Sequence, residues 1–183
     1  MEMENLEGRR LILRALTEAD SEVLGEAVES TRALLKRRLG WASRPPGPEE
    51  EMRFIERSSA EASSGEGLVW GLFDGKGQRL AGVAALRPLD TGRGQAALGA
   101  WVRADRQDKG YAAEAVRLVL EHSFRRLGLH RLYARIDPAN RPFRKVLKKL
   151  GFRYEGCLRG DKRLNGRWID QECWGLLRAE WKR

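Results

Sequence analysis

The stretch WVRADRQDKGYAAE, Trp101 to Glu114, sets Gly110 and Ala112 where an alternating apolar run gives way to a helical pattern. The chemistry such a junction can perform is anion binding. At a helix start several amides have no intrahelical partner and the macrodipole is positive, so a pyrophosphate can sit there where side chains leave room. Gly110 and Ala112 supply that room. The amides of Gln107, Asp108, Lys109, Gly110, Tyr111 and Ala112 can form a concave nest, with the Lys109 ammonium as a point charge beside it. Asp108, at the helix entry, reads as a cap rather than a phosphate ligand. Taken alone, a glycine at a helix start also fits an ordinary loop.

A second constellation follows one strand and one helix later, in NRPFRKVLKKLGF, Asn140 to Phe152. Asn140 can cap a helix, Pro142 suits its first turn, and Phe143, Val146, Leu147 and Leu150 make its apolar stripe before Gly151 ends it.

Periodicity gives the elements that must position these two motifs. Residues 9–16 alternate apolar and polar and read as a strand, and Thr17 with Asp20 can cap a helix through Leu24 and Val28. Residues 44–48, RPPGP, form a loop because proline removes amides and fixes φ, and 49–62 have helical spacing. Residues 68–73 and 79–86 flank the turn cluster 74–77 as a hairpin, and 95–103 are a third antiparallel member. Gly71 to Lys76 is not a nucleotide P-loop: Gly75 follows Gly71 too closely, and Gly77 stands where a magnesium-binding hydroxyl is needed. A long helix over 110–127 presents Val116, Val119 and Leu120 on one face. Residues 131–136 are a strand, and the last strands lie around 152–158 and 170–177.

The chain of 183 residues is 42% hydrophobic, enough for one packed core and too short for two ordinary domains. The first ten residues lack the apolar region of a signal peptide, and no stretch approaches the roughly 20 apolar residues of a membrane span, so a soluble cytoplasmic protein is expected. Cys157 and Cys173, with His122 and His130, match no zinc spacing and no disulfide framework, and read as small core residues. A net charge of +9 favours polyanionic partners, with coenzyme A phosphates and RNA both open on charge alone.

With both motifs in hand, the chain resembles the GNAT superfamily of N-acetyltransferases. Gln107, Gly110 and Ala112 fit its pyrophosphate pattern, and Asn140 with Leu150, Gly151 and Phe152 fits its second motif. Glu114 and Ala115, residues 123–134 and residues 151–159 resemble the RimJ/RimL branch, which acetylates amino termini of ribosomal proteins; so do the flanking arginines of 9–14 and the trio Leu39, Trp41 and Pro45. The resemblance implies a single α/β domain over 1–183, with its core at about 9–180. It implies a mixed, mostly antiparallel seven-stranded sheet flanked by about four helices, with two central strands splayed apart.

It further implies acetyl-CoA as cofactor and an amine acceptor, most directly a protein amino terminus, with ribosome association and a homodimer as possible partnerships and no membrane partner. Trp101, Val102 and Arg103 would give the strand edge for the pantetheine arm, Asn140 and Phe143 would touch that arm, and the Val102 amide would serve as oxyanion donor. No covalent acyl-enzyme is expected. The family's usual proton-handling positions hold Ala97 and Phe143 here; the branch resemblance implies a base near Lys162, where Asp161 is the candidate, and Tyr111 is a candidate proton donor to the thiolate. Asp170 and Trp168, with Trp41, Trp70 and Trp101, are candidates for the acceptor groove, with residues 44–48 as its lid. Two alternatives stay open: a small-amine acceptor such as a polyamine, amino acid or aminoglycoside, and a catalytically weak module that binds ribosomal RNA.

Overall fold

The computed structural model describes residues 3–39, 47–74 and 79–182. In chain order these form β1 (Leu6–Glu7), β2 (Leu11–Ala15), α1 (Ser21–Lys36), α2 (Pro48–Ser64), β3 (Leu68–Asp74), β4 (Leu80–Asp90), β5 (Gln95–Val102), α3 (Tyr111–Glu121), β6 (Arg131–Ile136), α4 (Arg141–Lys149), β7 (Arg153–Leu164) and β8 (Arg167–Leu177). The strands lie in one sheet in the order β1-β2-β3-β4-β5-β6-β8-β7, with β5 and β6 the parallel pair and the other neighbours antiparallel. This is the mixed α/β sheet with four helices that the sequence implies. The eighth strand is β1, two residues paired at Leu6 with Leu13 and too short to leave an alternating pattern.

The parallel pair opens the sheet. Its register covers only Gln95 with Arg131, Ala96 with Leu132 and Ala97 with Tyr133. From there β5 stays on β4 as far as Val102 opposite Gly82, and β6 stays on β8 as far as Ile136 opposite Glu172. Each strand is held by its own half of the sheet, so the two diverge as a V.

Side-chain alternation assigns the two faces. Val69, Phe73, Leu80 and Val83 pack with Leu24, Val28 and Leu35 of α1 and Ile55 of α2 on one face. On the other face Leu13, Trp70, Leu98, Val102 and Leu132 meet Val116, Val119 and Leu120 of α3 and Leu147 of α4. Each large apolar side chain so buried contributes about 1.5–3 kcal/mol.

Three expectations are corrected. The long helix stops being α-helical at Glu121 and passes into a π-helical turn, His122–Arg126; Ser123 Oγ donates to Val119 O at 2.7 Å there, which competes with the regular ladder. The last two strands are longer than expected and form one hairpin, because Asn165 (φ 49°) and Gly166 (φ 81°) make a two-residue turn between them. Neither cysteine is a core residue: Cys157 is exposed and Cys173 half-buried, both on this hairpin.

A buried ion pair ties the edge of the sheet to α3. Glu114, 5% exposed, accepts from the amides of Arg10 (2.7 Å) and Leu11 (3.2 Å) and from Arg10 Nε (2.8 Å). Burial works to raise the Glu114 pKa, but these hydrogen bonds outweigh it and hold the carboxyl below its ordinary value. A depressed pKa adds stability above the unfolded value of about 4.3, and that stability is lost as pH falls through the folded value. Glu114→Gln should lower the unfolding free energy by about 2 kcal/mol at neutral pH, moderated by the solvent exposure of Arg10. The same variant should lose less stability than wild type on acidification, as read from urea melts between pH 7 and pH 3.

Candidate active site

Where β5 and β6 part, a cavity of about 240 Å³ opens between them. Ala100 and Trp101 of β5 form one wall, Ile136 and Asp137 at the end of β6 the other, and Asn140 and Phe143 of α4 close one end. Arg38, just past α1, and Lys162 of β7 also line the cavity, with Lys162 Nζ donating to Arg38 O at 3.2 Å.

The parity of the β4–β5 ladder decides which backbone groups face this opening. Arg103 N–H donates to Ala81 O at 2.8 Å, so Trp101 and Arg103 direct their backbone groups toward β4, while Ala100 and Val102 direct theirs toward β6. Both lie beyond Ala97, where pairing with β6 ends. The Val102 carbonyl accepts from Gln107 Nε2 at 3.0 Å. The Val102 N–H and both backbone groups of Ala100 therefore lie along a strand edge that a ligand with amide groups can satisfy. Gly82 faces this edge with φ 155°, and a Cβ there would strike Trp101 O, so the close approach of β4 to β5 requires glycine.

The loop into α3 has the expected nest geometry. Asp108 (φ 56°) and Gly110 (φ 81°) both take left-handed conformations before the first turn, and Gly110 is the N-cap residue of α3. The Arg10 guanidinium stands beside Gly110, Nη2 lying 3.1 Å from where a Cβ would be, and brings a positive charge to the loop. Lys109 Nζ donates to Asp105 O at 2.9 Å, along the loop. The strand edge and this nest fit a cofactor that carries both amides and a pyrophosphate.

Among the other expected residues, Asn140 lines the cavity while its Oδ1 accepts from Phe143 N–H at 3.3 Å, which leaves its Nδ2 as donor to a ligand. Phe143 and Trp101 also line the cavity. Tyr111 does not: its ring lies under the Arg10 guanidinium, 4.8 Å from the centroid. Asp161 is exposed and pairs with Arg135 at 3.5 Å, and its neighbour Lys162 lines the cavity, on the same face of β7 as Leu158 because the bulge opposite Asp170 adds an even number of residues. Asp170 accepts from Gly160 N–H at 2.8 Å inside that bulge, and Trp168 is 67% exposed; Ile169 and Gln171 take the cavity positions. Trp70 is a fully buried core residue in edge contact with His122. Trp41 and residues 44–46 of the expected lid lie outside the described residues.

Sequence reading missed Arg38, Arg135 and Asp137 in the lining. The alternation of 131–136 could have set Arg135 on the face opposite Leu132 and Ala134; no local signal marks Arg38. Nothing supports a covalent route either. Local desolvation, then the carboxylates of Asp170 and Glu172, push the Cys157 thiol above its ordinary pKa, the reverse of what a nucleophile needs.

Comparison with known proteins agrees with this geometry. The family model described as "Acetyltransferase (GNAT) domain" matches residues 10–153. The chain belongs to the GNAT family of acetyltransferases, and acetyl transfer from acetyl-CoA is its reaction. Its sequence is 26% identical over 94% of the chain, and 90% of the relative, to the [Ribosomal protein uS5]-alanine N-acetyltransferase of Escherichia coli strain K12. It is 27% identical to the "Uncharacterized N-acetyltransferase p20" of Bacillus licheniformis over 98% of the chain and 99% of the relative. The match to "Probable N-acetyltransferase YjcK" of Bacillus subtilis strain 168, at 35% identity, spans 61% of the chain and 62% of that protein, less than two thirds of its length. In fold it superposes on the RimL ribosomal L7/L12 α-N-protein acetyltransferase in complex with coenzyme A, with TM-score 0.89, 22% identity, and coverage of 95% of this chain and 98% of that one.

Gly110→Glu should raise the Kd for acetyl-CoA at least about tenfold in calorimetric titration, since it puts a carboxylate on the nest and a side chain at positive φ. Unchanged affinity would place the phosphates elsewhere.

Proposed function

We propose that this acetyltransferase acts on the amino terminus of a peptide or protein. The observation that carries the proposal is the uncovered sheet face beside the cavity. The buried cluster beneath α1 and α2 draws on strands β3 and β4, so among the described residues the same face of β6, β8 and β7 lies open, with Tyr133, Gln171 and Cys173 half-buried and Leu158 exposed. A floor of this kind suits an extended chain whose first residue enters the V. The similarity along 94% of the chain to an enzyme that acetylates the amino-terminal alanine of a ribosomal protein supports the same acceptor class.

The bound cofactor supplies an activated acetyl thioester. The chain's own residues do the rest. The nest at Asp108 to Ala112 and the Arg10 guanidinium hold phosphate, and the free backbone groups of Ala100 with Asn140 Nδ2 align an amide-bearing arm. The Val102 N–H is directed into the V, where it can donate to a carbonyl oxygen that gains negative charge. Holding both reactants in one cavity supplies much of the acceleration.

Asp137 is the sole carboxylate lining the cavity among the described residues. Its Oδ1 caps the Ala139 N–H at 2.7 Å, and Oδ2 remains to take the proton of the incoming amine, directly or through water. Ribosome association rests on charge: residues 141–167 hold ten Lys or Arg against two Asp or Glu, and Arg141, Lys145, Lys148 and Lys149 are exposed along α4.

Release of the coenzyme A thiol should be fast with amino-terminal peptides and slow with polyamines or aminoglycosides, and the reverse order would assign a small-amine enzyme. Asp137→Asn keeps the turn cap and removes the base. It should lower kcat about 100-fold at neutral pH, with the residual rate rising as the acceptor amine itself loses its proton.

A further inference from the structure

The charges around the cavity are unequally compensated. Arg87 lies with Nε 2.5 Å from Glu61 Oε2, and Arg135 is opposed by Asp161. Among the described residues Arg38 and Lys162 have no such carboxylate partner. Lys162 Nζ donates to the backbone carbonyl of Arg38 at 3.2 Å, which leaves two of its three donors unused among the described residues. Arg38 Nη1 is buried and makes no hydrogen bond. The two residues come from distant parts of the chain and are drawn together where Asn165 Nδ2, in the turn of the last hairpin, donates to Lys36 O at 3.1 Å.

A buried guanidinium nitrogen without an acceptor costs stability unless a ligand supplies one, and the ligand group matched to adjacent guanidinium and ammonium donors is a carboxylate. Both residues line the cavity, and no residue of the loop 107–112 does, so the group within their reach is an acceptor rather than a pyrophosphate. Resting on the reading of this cavity as the acceptor site, we infer that Arg38 and Lys162 form a carboxylate-binding subsite, and that the preferred acceptor bears a carboxylate next to its reacting amine. This chemistry has two sources: an acidic side chain early in a peptide, or the α-carboxylate of a free amino acid. Polyamines and aminoglycosides, cationic beyond their reacting amine, are repelled from the same wall.

The test measures kcat/KM with saturating acetyl-CoA for peptides that share their first residue and carry Asp, Asn or Lys at the second, and for the free amino acids serine and aspartate. Wild type should prefer the Asp peptide to the Asn peptide by about tenfold or more, the worth of one charge-assisted contact. Arg38→Gln should bring that ratio to near unity, Arg38→Lys should restore part of it, and Lys162→Glu should turn the preference toward the Lys peptide. Lys162 is partly exposed, so its variant keeps the test alive if Arg38→Gln does not fold. Turnover of all three peptides at equal efficiency overturns the carboxylate subsite and leaves the peptide reading standing. Turnover of free amino acids alone, lowered by Arg38→Gln, overturns the peptide reading and assigns the subsite to the α-carboxylate. No turnover with any of these acceptors overturns both.

Discussion

A parallel strand pair that lasts three residues and then comes apart is the constraint on which the rest of this molecule depends. Beyond Ala97 and Tyr133 the two halves of the sheet keep their own partners, and the backbone of Ala100 and Val102 is left along an inner edge. An unsatisfied strand edge in a sheet interior is costly, and a molecule with amide groups of its own removes that cost on binding. The parity that aims Val102 N–H into the gap follows from the Arg103 to Ala81 hydrogen bond on the other side of β5, and the close contact at Gly82 maintains that ladder. The binding edge and the amide for polarising a carbonyl are thus one feature of the backbone.

Around this edge the electrostatics divide between the loop and the cavity. The loop into α3 has the Arg10 guanidinium beside Gly110, and the same side chain anchors Glu114, so this loop is fastened to the segment that enters β2. In the cavity Arg38 and Lys162 lie with Arg87 and Arg135, which are paired with Glu61 and Asp161. Most of the chain's net charge falls in residues 141–167, on α4 and the last hairpin, so the basic character seen in composition is a local surface property rather than a uniform coat.

Much of this was legible in the sequence. The nest was readable because Gly110 and Ala112 sit at a helix start with Gln107 before them, and backbone geometry there follows from residue type. The second motif was readable because Asn140, Pro142 and Gly151 mark the two ends of one helix. Which side chains line the cavity is less legible, because they come from strands and turns far apart in the chain. The bulge opposite Asp170 adds two residues to β7, an even number that keeps Leu158 and Lys162 in one phase, so Lys162 lines the cavity while Asp161, inside the bulge, pairs with Arg135. The Asn165-Gly166 turn was a visible hairpin signal, and weighing it would have extended both last strands. Arg38 enters the cavity only because the hairpin tip reaches Lys36, a contact between residues 129 positions apart. The contact of the Tyr111 ring with the Arg10 guanidinium likewise joins chain segments that no local pattern pairs.

The most direct test of the account is amide hydrogen exchange by NMR on the ¹⁵N-labelled protein, with and without acetyl-CoA. The account predicts that the amides of Ala100, Val102 and residues 108–112 gain protection on binding, while Trp101 and Arg103, already bonded to β4, change little. Binding that protects residues elsewhere and leaves Ala100 and Val102 exchanging as before would contradict it.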